Sequence, residues 1–389
     1  MTVYRFDQIA ENLTVRIEPG DTDLERYVGL EHLDPESLKL RRWGSPSDVI
    51  GQKLRFWKGD IIYGKRRAYQ RKLAVADFDG ICSAHAMVLR AKQDVILPEL
   101  LPFFLQSEIF HQRAMEISVG SLSPTINWTT LAKQEFPIPP LDEQRSIADL
   151  LSTADNTSQK YIELLESIDK LIRAYANSIW GNKLDFDVAW QKLSSHPSNW
   201  DQLALQNTCV KIQDGTHFSP KSNGGKYRYV TSKNIKDGYL DLADCGWISE
   251  QEHNPIYRRV DVKNGDVLLT KDGANTGNVA INSIDEPFSL LSSVVMIRTE
   301  LSRLLNDFLF YYLHSEFGRE NITSQMKGTA ITRITLQQVK KTKIPTPSLS
   351  DQEIIVDIFE KLYSTKAQLL KTMDDLHEQN KLLLNHLIG

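Results

Sequence analysis

The nearest approach to a catalytic motif in this chain is Asn254-Pro255-Ile256-Tyr257. An acidic or amide residue followed by Pro-Pro-aromatic can hold an exocyclic amine for methyl transfer, but here the second proline is missing and no glycine-rich cofactor loop accompanies it. Gly224-Gly225-Lys226 has part of a phosphate cradle, yet Tyr227 stands where Ser or Thr would be needed and the upstream glycine spacing is lacking. Nine histidines are scattered without metal-ligand pairs, and no serine sits in a nucleophile-elbow context. Three cysteines, Cys82, Cys209 and Cys245, lie far apart, which argues against a zinc ribbon and for a reducing, cytoplasmic setting. The expectation is a chain with no catalytic centre and no metal site of its own.

The residues that remain chemically informative are cations. The net charge of −4 is unpromising for a partner rich in phosphate until it is divided along the chain. Residues 141–181 and 349–389 each hold seven acids and four bases, which leaves the rest at +2. Within that rest, Lys39–Lys72 carries eleven bases against Asp48 and Asp60, and Lys211–Lys236 carries six against Asp214. Gln325–Lys343 adds five bases and no acid. Basic patches on globular parts with acidic stretches elsewhere fit a DNA-binding face on a solvated scaffold.

The elements that position those cations are written twice. Shifted by 208, Gly120–Gly181 lies over Gly328–Gly389 without a gap, and twelve of 62 positions are identical. They include Ile126/Ile334, Lys133/Lys341, Pro137/Pro345, Pro139/Pro347, Gln144/Gln352, Thr157/Thr365 and Asn177/Asn385. Upstream, with small gaps, Gly59-Asp60-Ile61-Ile62 matches Gly265-Asp266-Val267-Leu268, and Met87-Val88-Leu89-Arg90 matches Val295-Met296-Ile297-Arg298. Phe104–Glu108 matches Tyr312–Glu316. A repeat of this length means two copies of one module.

Each globular part reads as mixed α and β, an α+β domain. Val267-Leu268-Leu269 and Ser292–Ile297 are β-rich runs between turn residues, and Leu97–Glu108 and Arg303–Phe317 have helical spacing. After each Pro-rich turn a long helix is expected, over 141–181 and 349–389. Its apolar seam is Ile147, Leu150, Ala154, Tyr161, Leu164, Ile168, Leu171 and Tyr175 in the first copy. In the second it is Ile355, Ile358, Leu362, Leu369, Leu376 and Leu383. Sustained three-four spacing is a coiled-coil signature. Ser350 with Glu353 reads as a capping box and Asp142 as a cap. Helices of roughly 40 residues would be about 60 Å long. A pseudo-twofold axis between the copies would make them an antiparallel two-helix coiled coil separating the globular parts, whose half-sites would lie about 34 Å apart on DNA. The domain plan is therefore 1–140, a helix over 141–181, a linker over 182–199, 200–348, and a helix over 349–389.

The residues just described resemble the specificity subunits of type I restriction–modification systems along essentially the whole chain. The resemblance is sharpest at Asp214-Gly215-Thr216-His217, Tyr229–Ile235, Gly265-Asp266-Val267-Leu268 and Thr270-Lys271-Asp272-Gly273. The helix-entry turns Phe136–Gln144 and Ile344–Gln352 share it. The first half lacks the Asp-Gly-Thr-His element and has Glu18-Pro19-Gly20 around that place, which implies that the two halves read unlike sequences. What the resemblance implies is a bipartite double-stranded DNA target and two methyltransferase subunits docked on the chain. The resemblance also implies a translocating nuclease subunit in the restriction complex, and it places S-adenosylmethionine in the partner, not in this chain. The rivals are the recognition subunit of a fused nuclease–methyltransferase and a DNA-binding or coiled-coil scaffold outside restriction–modification.

Loop cations, amides and hydroxyls are the candidates for phosphate and base contact. In the first half they are Lys65, Arg66, Arg67, Ser121 and Ser123. In the second they are Lys221, Lys226, Arg228, Lys233, Asn234, Lys271, Lys327, Thr329 and Arg333, with His217 expected to brace its loop. No apolar run approaches the roughly 18–20 residues that span a bilayer, and the polar Met1–Leu13 is not expected to be a secretory signal.

Overall fold

Many of the positions repeated in the sequence close a buried hydrogen bond in the structure, a computed structural model that describes residues 1–35, 37–181, 193, 199–220, 224–324, 326 and 333–388. Gln144 and Gln352 are both fully buried. The Gln144 side chain accepts from Leu97 N and donates to the carbonyls of Val95 and Pro139, each at 2.8 Å. Gln352 accepts from Leu305 N at 2.8 Å and donates to Arg303 O and Pro347 O at 2.9 and 3.0 Å. Each glutamine thus ties the start of its long helix to the segment before the short helices. Another pair repeats the same logic: Arg90 grips the buried Asp60 through two bonds of 2.7 and 3.0 Å, and Arg298 grips the buried Asp266 through two of 2.8 Å. A buried carboxylate needs such a partner, which is why these residues recur.

The chain forms two units, Met1–Glu163 with Leu370–Gly389, and Leu164–Leu369. In the first, Thr2–Arg5 pairs antiparallel with Glu135–Ile138, and a four-stranded antiparallel sheet runs in the order 10–13, 86–91, 61–64, 73–75. The second unit repeats both: Asp201–Ala204 pairs with Lys343–Thr346, and the sheet order is 209–214, 294–299, 267–270, 279–281. Successive side chains of a strand point to opposite faces. Ile61, Tyr63, Met87 and Leu89 accordingly enter one core cluster while Ile62 and Val88 enter another. Val267, Leu269, Val295 and Ile297 face one core of the second unit and Leu268, Val294 and Met296 the other. Both faces of each sheet are covered, hence the continuous apolar runs.

The helices over Leu97–Glu108 and Arg303–Phe317 differ from expectation. Each is broken, as Leu101–Gln106 with Glu108–Glu116, and as Asn306–His314 with Glu316–Thr323. Ser107 and Ser315 leave helical geometry so that their hydroxyls cap the following helix, accepting from Phe110 N at 3.4 Å and Gly318 N at 3.1 Å.

The long helices run Leu141–Trp180 and Leu349–Ile388. The second is capped by Ser348, which accepts from Asp351 N at 3.2 Å, and not by a Ser350–Glu353 box. Asp142 lies inside the first turn of the first helix rather than at its cap, where it favours the helix dipole. In the second unit the two helical segments run in opposite directions, since Asp169 meets Lys366 at 2.6 Å and Tyr175 meets Phe359 with centroids 4.9 Å apart. In the first unit Asn380 Nδ2 donates to Ser158 Oγ at 2.9 Å, and Ile388 shares a core with Ala148 and Leu151.

The expected seam needs correction on the first helix. Leu150, Leu164 and Leu171 are 48%, 49% and 44% exposed. Each is followed by an apolar residue, Leu151, Leu165 or Ile172; Leu151 and Ile172 are buried, and Leu165 is half-buried. One residue is a rotation of about 100° on a helix, so a doubled apolar position leaves the inward one undecided in sequence. Ile147, Ala154, Tyr161, Ile168, Ile358, Leu362, Leu369, Leu376 and Leu383 are half-buried, and Tyr175 and Ile355 are buried.

Candidate nucleic-acid interface

In the first unit, two segments far apart in sequence are stitched into one platform. The strand Ile61–Gly64 runs out into Lys65-Arg66-Arg67, and Ile126 N donates to Lys65 O at 2.9 Å. Arg66 Nε donates to Ser123 Oγ at 3.0 Å, and Ala68 N donates to Pro124 O at 3.3 Å. Arg67 holds the left-handed conformation at φ 55°, which turns the chain sharply there. Ser121, Arg66 and Arg67 are exposed, while Lys65 is half-buried and its ammonium pKa is pushed down by burial. The structure therefore brings together all five candidates of the first half.

The second unit builds the same platform from different side chains. Ile334 N donates to Lys271 O at 2.8 Å, the counterpart of the Ile126–Lys65 bond. Where Arg66 bridges Thr125 along the backbone in the first unit, Asp272 bridges Arg333 in the second. The two backbone pairings recur while the side chains on them differ.

Around that platform lies a charged cluster. Asp214, nearly fully buried, accepts from Arg259 NH2 at 2.9 Å and lies 3.5 Å from His217 Nε2 and 3.9 Å from Lys271 Nζ. Lys271, 4% exposed, donates to Asp272 Oδ2 at 2.6 Å. Gly215 allows a close approach, because a Cβ there would fall 2.0 Å from Leu290 O. His217 is exposed, with Nε2 3.5 Å from Asp214 Oδ2.

Two candidates of the second half are corrected as base readers. Lys271 is buried between two carboxylates, and the buried Asn234 accepts from Thr231 N at 2.9 Å and donates to Asp241 O at 3.1 Å. Both are buried and engaged inside the unit, Asn234 between Thr231 and Asp241 and Lys271 between the carboxylates of Asp272 and Asp214. Lys226, Lys233 and Arg333 are exposed, and Arg228 stacks over the Trp247 ring at 5.0 Å from its centroid. Lys221, Lys327 and Thr329 lie outside the described residues. Arg259 was not nominated in the sequence, because no local pattern places a helix-end arginine beside Asp214, 45 positions away.

The motifs set aside in the sequence have structural roles. Asn254 and Pro255 lie exposed on the helix Glu250–Arg259 and enclose no amine pocket. Gly224-Gly225-Lys226 leads into the strand Tyr227–Val230, and Gly225 packs against Ile248 O, where a Cβ would come within 1.9 Å. Burial pushes the Cys82 and Cys209 thiols up to about 12. Among the described residues no group of three or more His, Cys, Asp or Glu could hold a metal ion, and no helix is long and apolar enough to cross a membrane.

The chain belongs to the family of the type I restriction modification DNA specificity domain, whose model matches residues 49–168 and 197–375. It is 23% identical over 342 residues to the type I restriction enzyme MjaVIII specificity subunit of Methanocaldococcus jannaschii, covering 85% of this chain and 75% of that one. With the EcoKI specificity subunit of Escherichia coli it shares 21% over 373 residues, covering 92% and 76%. The fold matches the S subunit of a type I restriction–modification system from M. genitalium with a TM-score of 0.62 at 16% identity, covering 100% of this chain and 96% of that one. A chain solved in work on assembly of the type I R-M system gives 0.61 at 19% identity, covering 100% and 97%.

Proposed function

We propose that this chain is the non-catalytic subunit that recognises a bipartite double-stranded DNA target and directs adenine-N6 methyltransferase and restriction subunits to it. The observation that carries the reading is the duplicated platform, Lys65–Arg67 with Ser121–Ser123 in one unit and Lys271–Asp272 with Arg333 in the other. Two shared backbone pairings carrying unequal side chains suit two unlike half-sites. Opposed helical segments in the second unit favour an antiparallel coiled coil with pseudo-twofold symmetry, which would hold the readers at a fixed spacing. The exposed Leu150 of the first unit and Leu164 and Leu171 of the second offer apolar positions on which two methyltransferase subunits could dock helices. S-adenosylmethionine and the flipping of the target base then belong to those subunits, in the cytoplasm.

The test is a single-molecule sequencing map of N6-methyladenine in host DNA with and without the gene. Loss of one split motif, two unlike half-sites around a fixed unspecified spacer, is the expected result. Methylation or cleavage of DNA by the isolated chain would overturn the non-catalytic reading.

A further inference from the structure

We infer that Leu122 is a specificity-determining residue that packs on the 5-methyl group of a thymine in the half-site bound by the first unit, an inference that rests on the proposed DNA-reading role. Leu122 is 94% exposed. Single exposed leucines are common, so the position must make the case. Leu122 tops a loop closed by two backbone bonds of 3.0 Å, Val119 N to Thr125 O and Thr125 N to Val119 O. Gly120, at φ +108°, supplies the turn that a side chain would resist. The loop is pinned from the other side by Arg66 Nε on Ser123 Oγ and by Ala68 N on Pro124 O. A tethered tip holds its side chain outward at little entropic cost on binding.

The surroundings specify the occupant. Residues 64–72 carry five cations, residues 119–126 none, and neither segment has a carboxylate, so the tip stands in a field that attracts polyanions. Leu122 lies between Ser121 and Ser123, giving an order hydroxyl, isobutyl, hydroxyl along the tip. In the major groove an A·T pair presents one apolar feature, the thymine methyl at the edge beyond O4, whereas a G·C pair presents only polar groups. A serine hydroxyl next to the leucine is a suitable donor to O4 on the polar side of that methyl.

The experiment uses the full chain assembled with its methyltransferase subunits and duplexes carrying its methylated motif. Each thymine of the motif is replaced in turn by deoxyuridine, which removes only the methyl group. One replacement is expected to weaken wild-type binding about three- to fivefold, the effect of one buried methyl. Leu122→Ala should bind the parent duplex about that much more weakly and be indifferent to that replacement. Because Leu122 touches no core, unchanged circular dichroism should accompany the loss. Equal binding by Leu122→Ala and wild type, or a deoxyuridine effect that persists in the variant, overturns the inference. So does 2-aminopurine fluorescence rising beside the site with wild type alone, which would mean a wedge opening the stack. Failure of wild-type complex to prefer its motif would instead refute the DNA-reading role, and shows before any substitution is made.

Discussion

Replacing Lys271 by methionine separates a brace from a reader. The side chain is 4% exposed, with Nζ 2.6 Å from Asp272 Oδ2 and 3.9 Å from Asp214 Oδ2. Methionine keeps the volume and removes the charge. Breaking a buried ion pair typically costs about 3–5 kcal/mol because the abandoned partner stays buried. Here Asp214 keeps Arg259 at 2.9 Å and the Asp272 side chain is 28% exposed, so both carboxylates retain some compensation. The expected cost is therefore about 2–3 kcal/mol. Hydrogen exchange followed by mass spectrometry should report it as about 30- to 150-fold faster opening of the strand Val267–Thr270, with the first unit unchanged. Arg333→Ala is the companion. Its side chain is 63% exposed and Nε lies 4.0 Å from Asp272 Oδ1, so exchange should shift by less than about 0.5 kcal/mol. Discrimination at one base pair of a single half-site should nevertheless fall by about 1–3 kcal/mol. The reasoning is refuted if Lys271→Met leaves exchange untouched while discrimination collapses at one position, because Lys271 would then reach DNA.

The buried glutamines yield a paired prediction. Gln144→Met leaves Leu97 N and the carbonyls of Val95 and Pro139 without partners, which should cost about 2–4 kcal/mol and deprotect Leu97 without affecting the second unit. Gln352→Met should do the converse at Leu305, and equal effects of both substitutions on both units would show that the network is not local. A third prediction concerns pH. The hydrogen bond from His314 holds the Asp237 carboxyl below its ordinary range, at about 2, with Arg319 adding to the effect. A depressed carboxylate contributes stability that is full above its unfolded pKa, about 4, and is lost as pH falls through about 2. Denaturant midpoints taken from pH 5 to pH 2 should therefore fall more steeply for wild type than for Asp237→Asn, and parallel curves would remove the His314–Asp237 contact from the stability of the second unit.

The duplication, the mixed α and β character and the two long helices were legible in the sequence, because each rests on local periodicity or on Gly and Pro punctuation. The shared glutamine at Gln144 and Gln352 was visible only as an identity; two of the three hydrogen bonds each closes needed a segment brought up from nearly fifty residues away. Loop membership and charge nominated Arg66, Ser123, Lys271 and Asn234 alike. Tertiary structure sorted them, since burial and partner geometry depend on contacts between segments, such as Lys271 with Asp214 and Arg66 with Ser123. The same holds for the seam, where Leu150 and Leu151 have equal claims in sequence and only packing turns one inward. Sequence by itself determined what repeats and which chemistry is carried, because these are properties of residue type and spacing along the chain. Which cations are free to meet DNA was decided by the fold, because a charge buried beside a carboxylate is already spent.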